Sequence, residues 1–544
     1  MDQTTWRQPP QPVVDGDIAE EYCADVVILG AGHAGTAAAM AAVEAGAAVI
    51  VVEQQIQARM RILGNQIGVL NSKFAQAQGV QEYDPIELMQ EWQRRTFNRA
   101  NPELIRQFAW QSGPALDWFL AHLPDDIVKG IRIFMHPAEK YEGELNGCHN
   151  FLGTAYFDDM NGRGLSDAVK HVHQWLTAQG ATMLFETRGL QLEKTAGRVT
   201  GLIAKRRDGK YLRLNAQKTV ILAGGDFSGN REMLFDLLPE FAEITDFGRK
   251  YTVHSLGWNG DAIRMGIWAG GRMEPGPRGG MFCTVGGNGG PMDGAAFLKL
   301  NSDGNRYTNE GIYGYWGAGQ QGARQPKGPI VTIWDSNWRE ELKYQSPDHC
   351  GVDCSDTVMM SLMETDMPAV LGTGKRGGIV RVAPPWEGQE VGRQYRVYAA
   401  NSFDELADYL GYQGSSKANF LHAVERYNCI CRAGRDVDFA KDRRLLHALE
   451  HPPYYGYKEE KRDPGFMMVT TSGLWVDGHQ RVLDQNDEPI PGLLATGNCC
   501  GCRFPIQYST PIAGVSIGMA YTLGKIAGTY AVYGERLKIW EESL

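Results

Sequence analysis

Ala24-Asp25-Val26-Val27-Ile28-Leu29-Gly30-Ala31-Gly32-His33-Ala34-Gly35, an alanine-rich run from Thr36 to Ala47, and Val49-Ile50-Val51-Val52-Glu53 together decide the fold. Ala24–Leu29 is short, apolar and β-branched, which predicts a buried strand. Thr36–Ala47 has no breaker until Gly46 and predicts a helix. Val49–Val52 predicts a second buried strand. The order is strand, GxGxxG, helix, strand, acid, with the acid 18 residues after the third glycine. Each part has a task in holding a dinucleotide. Gly30 permits the tight turn, Gly32 admits a pyrophosphate close to the backbone, and Gly35 lets helix and strand pack. His33 and Ala34, between those glycines, are expected contacts. The helix N-terminus offers free N–H groups and a partial positive charge to the phosphates. Glu53 can accept from both ribose hydroxyls and would repel a 2′-phosphate.

Gly372-Thr373-Gly374-Lys375-Arg376-Gly377 repeats the glycine pattern without its context. No strand leads into it, and Gly378–Val382 after it predicts a strand rather than a helix. A basic loop or hairpin is expected there. One dinucleotide fold fits one tightly held flavin better than a flavin plus a dedicated nicotinamide domain.

Working outward, 43% of the 544 residues are hydrophobic and 22% charged, which excludes a disordered or collagen-like chain. A net charge of −10 leaves no basic excess to hold a polyanion, so nucleic acid is not an expected partner. The 66 glycines are about 12% of the chain against a usual ~7%, as expected where backbone lies close to a large ligand. Ten cysteines are too few for a disulfide scaffold, and neither CxxCH nor a ferredoxin spacing occurs. The N-terminus is polar and proline-rich without a signal pattern, and Asp25–Val52 is broken by Gly30, Gly32, His33, Gly35 and Glu44. A cytoplasmic protein without a membrane span is therefore expected.

Further motifs lie at Lys218–Gly225 (KTVILAGG), Asn259–Ala262 (NGDA) with Ala269–Gly271, Gly304–Glu310 (GNRYTNE), Arg426–Asn428 with Gly434–Asp436, Pro452–Tyr455, and Gly492–Asn498 (GLLATGN). In this order and spacing the chain, from about residue 20 on, resembles the fumarate reductase/succinate dehydrogenase flavoprotein superfamily, which includes the 3-ketosteroid dehydrogenases. The resemblance implies an α/β fold: a Rossmann-like FAD-binding domain interrupted by an α+β capping, or substrate, domain. The implied boundaries are an N-terminal extension at 1–19, FAD-domain halves at 20–271 and 456–544, and the cap at 272–455. FAD would lie between domain and cap. Gly30, Gly32, Gly35 and Glu53 would bind its ADP part, and Asn65, Asn71 and Ser72 would line the flavin side. Ala223, Gly224, Asp261 and Asn498 would complete the shell, Asn498 standing where fumarate reductases usually have glutamate. Gly514, Ser516 and Ile517 open a last helix running to about Tyr530, whose N-terminus would stabilise reduced flavin.

Fumarate reductases hold a dicarboxylate with two histidines and two arginines. The resemblance puts Gly314 and the segment Tyr508–Gly514 at the arginines, and Met468–Gly473 and the surroundings of Met281 at the histidines. All four binders are missing. A buried dicarboxylate without paired cations is costly, so fumarate and succinate are not expected substrates. Tyr313 and Tyr315 flank Gly314, about where ketosteroid dehydrogenases keep a catalytic tyrosine. Tyr508 lies near a second tyrosine of that group, although Thr510 takes the matching slot. A phenol can protonate a carbanion or hold a ketone oxygen without demanding a charged substrate. Tyr315 is the first candidate acid, with Tyr508 and Tyr313 behind it and Arg503 as the competing cation.

Cys499-Cys500-Gly501-Cys502 is read as small residues in a crowded loop rather than a redox pair. His171 and His173, two apart on a helix predicted over 165–179, share no face, and no metal site is expected. His254 is read as structural. The expected protein is an FAD-dependent oxidoreductase acting on a C=C bond of a neutral, conjugated or polycyclic small molecule, with a separate electron donor or acceptor. The alternatives are ketosteroid-type desaturation and a non-catalytic electron-transfer flavoprotein subunit.

Overall fold

The run that precedes the glycine loop forms β1 (Ile18–Leu29), and the alanine-rich run forms α1 (His33–Glu44). The computed structural model describes residues 5–133, 151–157, 164–239, 258–283, 292, 295–311, 321–322, 324–326, 328–342, 354, 356–383, 390–459, 466–506, 508 and 511–536. β1 starts six residues before the apolar run, because Ile18–Ala24 find partners along Tyr211–Ala216. α1 starts three residues before Thr36, with Gly32 as its N-cap, so the last three residues of GxGxxG are the first turn of the helix. β2 (Val49–Val52) lies parallel to β1.

These strands belong to an eight-stranded sheet. Its path runs Arg481–Leu483, Pro489–Ala495, Tyr211–Leu222, β1, β2, Thr182–Leu184, and the hairpin Thr187–Thr195/Arg198–Arg206 joins at Tyr211–Leu222. The C-terminal strand Pro489–Ala495 pairs parallel with Tyr211–Leu222, so both ends of the chain build one sheet. β1 is buried on both faces. Val27 and Leu29 enter one core and Val26 and Ile28 the other, which explains an apolar run without polar alternation.

The helix Val515–Tyr533 closes the fold against α1. Contact is backbone-close: a Cβ on Gly524 or Gly528 would press on the carbonyls of Ala34 and Ala38. The alanines of α1 and the glycines of its partner are thus one packing device, in which small residues bring two helices together. The helix Leu165–Ala178 covers α1 from another side, and buried His173 approaches the Ala31 carbonyl (3.1 Å) and Thr36 Oγ1 (2.9 Å) through Nε2. That histidine braces the glycine loop from behind.

A second sheet of five antiparallel strands orders Leu298–Leu300, Ile330–Trp334, Tyr454–Glu459, Gln394–Ala400 and Gly378–Arg381. The second GxGxxG ends in a short 3-10 turn, Gly374–Arg376, and runs into the edge strand Gly378–Arg381. Arg306 is nearly buried here between Glu310 (2.8 Å) and Asp436 (2.7 Å), with Lys441 3.5 Å from Glu310. A two-stranded ribbon, Gly280–Cys283 with Phe466–Thr470, lies where the chain leaves and re-enters the first sheet's part of the sequence. Among the described residues no helix is long and apolar enough to cross a membrane.

Candidate functional site

A cleft of about 1700 Å³, counted out to its open mouth, runs along the ends of β1, β2 and the strand Tyr211–Leu222. Such strand ends are where open α/β sheets place ligands. The three glycines of the loop meet it differently. Gly30 has φ +103°, and a Cβ there would press on the Ala223 carbonyl. Gly35 packs against the Gly30 carbonyl and does not line the cleft. Gly32 has an ordinary φ of −73°, and a Cβ on it would touch no protein atom within 4 Å. Its missing side chain leaves room in the cleft itself, at the N-terminus of α1.

Glu53 is buried at the end of β2. Its carboxylate takes the N–H of Ala31 at 3.0 Å and of Gln55 at 2.9 Å. Burial raises its pKa, and those N–H groups pull the other way. His33, at the first turn of α1, lines the cleft and ties three segments together. Nε2 is 2.8 Å from the Leu63 carbonyl and so carries the proton, and Nδ1 takes the Tyr521 hydroxyl at 3.2 Å. Burial lowers its pKa to about 4, so it is neutral at physiological pH. It pins the cleft-lining segment Met60–Gln66, including Asn65, to α1 and to the closing helix.

Ala223 and Gly224 follow the strand Tyr211–Leu222 and line the cleft. Asp261 begins the helix Asp261–Trp268, also facing the cleft, and accepts both Nε (2.6 Å) and Nη2 (2.9 Å) of Arg188. Burial alone would raise its pKa, but Arg188 and Arg264 hold it below the usual carboxylate value. At the other end stand Asn498, Gly514, Ser516, Ile517 and Tyr508. Tyr508 is 2% exposed, sits edge-on to Phe504, and its hydroxyl oxygen takes the Ser516 N–H at 3.2 Å. Met281 and Val469, cross-strand partners in the ribbon, line the same cleft. Val469 lies in the run, and Met281 in the neighbourhood, where the resemblance puts histidines.

Besides Gly35, three expected contacts lie off the cleft. Asn71, at φ +58°, spends its side-chain amide on both backbone groups of Tyr83, and Ser72 Oγ caps a short helix through the Ala75 N–H. Local hydrogen bonds, not a ligand, consume these polar groups. Arg503 is fully buried behind the wall, donating to the Cys500 carbonyl (2.9 Å) and to Asn498 Oδ1 (3.1 Å). It does not line the cleft. Tyr313, Tyr315, Gly314, Thr510 and His254 lie outside the described residues. Cys499, Cys500 and Cys502 are buried free thiols, and burial pushes Cys499 up to about 11 and Cys500 to about 12. Neither is a thiolate at neutral pH, so the loop has no ready nucleophile.

Sequence reading missed Asp226, Trp258, Arg188 and the segment Met60–Leu63, all of which line the cleft. Asp226 left a signal: an acid directly after Gly224-Gly225. It is 1% exposed and takes the N–H groups of Thr470 (2.7 Å) and Ser228 (3.3 Å), while Oδ1 has no partner among the described residues. Burial raises its pKa to about 6.

The model of a protein family described as FAD binding domain matches residues 25–507. The chain belongs to that family. FAD is its cofactor, and the donor set fits: a glycine loop at a helix N-terminus, an acid at the end of β2, and an amide and a second helix N-terminus at the far end. The chain is 25% identical over 541 residues to vinyl phenol reductase of Lactiplantibacillus plantarum, covering 94% of this chain and 97% of that one. It is likewise 25% identical over 526 residues to a fumarate reductase (cytochrome) of Shewanella frigidimarina, covering 93% and 76%. Its fold is shared with 3-ketosteroid-Δ4-(5α)-dehydrogenase of Rhodococcus jostii RHA1, at a TM-score of 0.67, 20% identity and coverage of 96% and 99%. This FAD-binding protein is an oxidoreductase of the CH–CH group.

Proposed function

We propose that this flavoprotein reduces a C=C bond conjugated to a carbonyl or aromatic group in a neutral, largely apolar molecule. The observation that carries this reading is the pair Met281 and Val469, two apolar side chains paired on the cleft wall in the segments to which the resemblance assigns the histidines of a dicarboxylate site. The L. plantarum relative is named for a vinyl phenol, a neutral conjugated alkene. Gly30, Gly32, His33, Ala34, Glu53, Ala223, Gly224 and Asp261 would hold the adenosine diphosphate side of FAD, with Asn65 toward its flavin side. Asn498, Gly514, Ser516 and Ile517 would hold its flavin side. The segment 272–455, which contains the five-stranded sheet, would be the cap.

FAD held there would supply a hydride to one carbon of the double bond. Tyr508 gives a proton to the neighbouring carbon, and its phenolate recovers one from solvent. The Ser516 N–H, at a helix N-terminus, already points at the phenol oxygen and stays in place as its donor after proton transfer. The apolar wall excludes water from the carbanion-like carbon. A separate donor returns electrons to FAD. Tyr313 and Tyr315 remain candidates for the same proton.

The test is anaerobic. The flavin is reduced, a 4-vinylphenol, a cinnamate-like compound, an enone or fumarate is added, and reoxidation is followed by absorbance. A neutral conjugated alkene is expected to reoxidise the enzyme quickly and millimolar fumarate slowly. Fumarate outrunning every neutral alkene would overturn the reading.

A further inference from the structure

We infer that Arg503 acts through Asn498 as a positioning residue that gives the cleft wall hydrogen-bond donors backed by positive charge, and so raises the reduction potential of the bound flavin. The inference concerns the cofactor and stands whatever the substrate.

A guanidinium only donates hydrogen bonds. The atom of Asn498 that lies 3.1 Å from Arg503 Nη2 must therefore be the amide oxygen. Ser516 Oγ donates to the same oxygen at 3.3 Å. With Oδ1 spent twice, Asn498 turns its NH₂ group the other way. Asn498 lines the cleft, and no described residue accepts from Nδ2. A side chain that is ambiguous by itself is thus read one way round, as a donor.

Arg503 cannot swing out to release this arrangement. Its Nε is bonded to the Cys500 carbonyl, its own carbonyl takes the Trp92 indole N–H at 2.9 Å, and it is 0% exposed. Nη1 has no partner among the described residues. A guanidinium stays charged at any working pH, and in a water-excluded interior that charge is poorly screened. Uptake of electrons puts negative charge on the flavin. Preorganised donors and a nearby cation favour that state over the oxidised one.

One group opposes this effect. Glu274 is 2% exposed, takes the N–H of Gly473 at 3.2 Å and of Cys502, and interacts electrostatically with Arg503. The site therefore offers two nearly isosteric substitutions of opposite sign. Asn498→Asp puts a carboxylate against Arg503 and removes the donors. Glu274→Gln removes the opposing carboxylate.

Both variants are to be loaded with FAD, checked for stoichiometric flavin by absorbance, and equilibrated with reference redox dyes. The midpoint potential is expected to fall in Asn498→Asp and to rise in Glu274→Gln. Each shift should be about 30 mV or more, which is tenfold in the equilibrium constant of a two-electron couple. Packing damage alone would not move the two in opposite directions. If one variant fails to fold, the sign of the other decides. An unchanged potential, or a shift of the opposite sign, in a variant that binds FAD overturns the inference.

Discussion

Tyr508 shows what a single side chain can be asked to do here. Its oxygen already accepts the Ser516 N–H, so proton loss leaves a phenolate with a donor in place. Such a group acts in the transition state, and its removal lowers turnover more than substrate binding. Tyr508→Phe is expected to lower kcat by about 10²–10⁴-fold with KM changed far less and FAD retained. Steady-state kinetics with an artificial donor measure this, and near-normal turnover would move the acid to Tyr315 or Tyr313. At this scale the sequence was legible where chemistry is local. Gly30, Gly32 and Glu53 announce themselves by spacing, and each lines the cleft. Asn71 and Ser72 did not, because short polar side chains bond to whichever backbone group is nearest, and that depends on the turn they sit in. The tie between His33, Leu63 and Tyr521 joins residues up to 488 positions apart, and no local pattern encodes it.

Among elements, the pairing of α1 with Val515–Tyr533 governs the cleft. α1 presents the glycine loop and His33, the closing helix presents Ser516 and Ile517, and small residues at Gly524 and Gly528 let the two helices meet backbone to backbone. Gly528→Val adds branches where a single Cβ already presses on the Ala38 carbonyl. Overpacking of this kind costs about 1–3 kcal/mol, and the helices must part to relieve it. The variant is expected to unfold at lower urea and to bind FAD more weakly, as read by denaturation and by flavin release on dilution. Unaltered FAD affinity would show that the interface does not shape the cleft. α1 was plain from its alanine content and the closing helix was implied by the resemblance, but their ends were not. α1 begins within the glycine loop, because Gly32 serves as its cap. The ribbon Gly280–Cys283/Phe466–Thr470 was not legible either. It pairs strands 186 positions apart, and only the folded chain shows Met281 beside Val469.

For the molecule as a whole, Asp226 couples stability to pH. Burial raises its pKa from the ordinary aspartate value to about 6. Below about pH 4 both folded and unfolded chains hold the proton, and no penalty exists. Between about pH 4 and 6 the unfolded chain releases it first, so stability falls as pH rises and then levels off, by about 3 kcal/mol at most. In Asp226→Asn the amide oxygen can keep the Thr470 and Ser228 N–H groups, and the NH₂ takes the place of the unpartnered Oδ1. The apoprotein variant is expected to match the parent near pH 4 and exceed it at pH 7 in urea denaturation. Equal stability at both pH values would place an acceptor-satisfying partner beside Asp226.

The sheet that carries the cleft takes strands from 18–222 and from 481–495, and its closing helix comes later still. A ribosome delivers the chain in the opposite order of need. The glycine loop emerges first, and several hundred residues pass before Asn498 and Ser516 exist. Domains made from contiguous sequence can fold as they emerge, whereas this one cannot finish until Val515–Tyr533 has emerged. Flavin loading therefore waits for these late segments, and a chain stopped before Asn498 would carry the whole pyrophosphate loop yet lack the far end of the cleft.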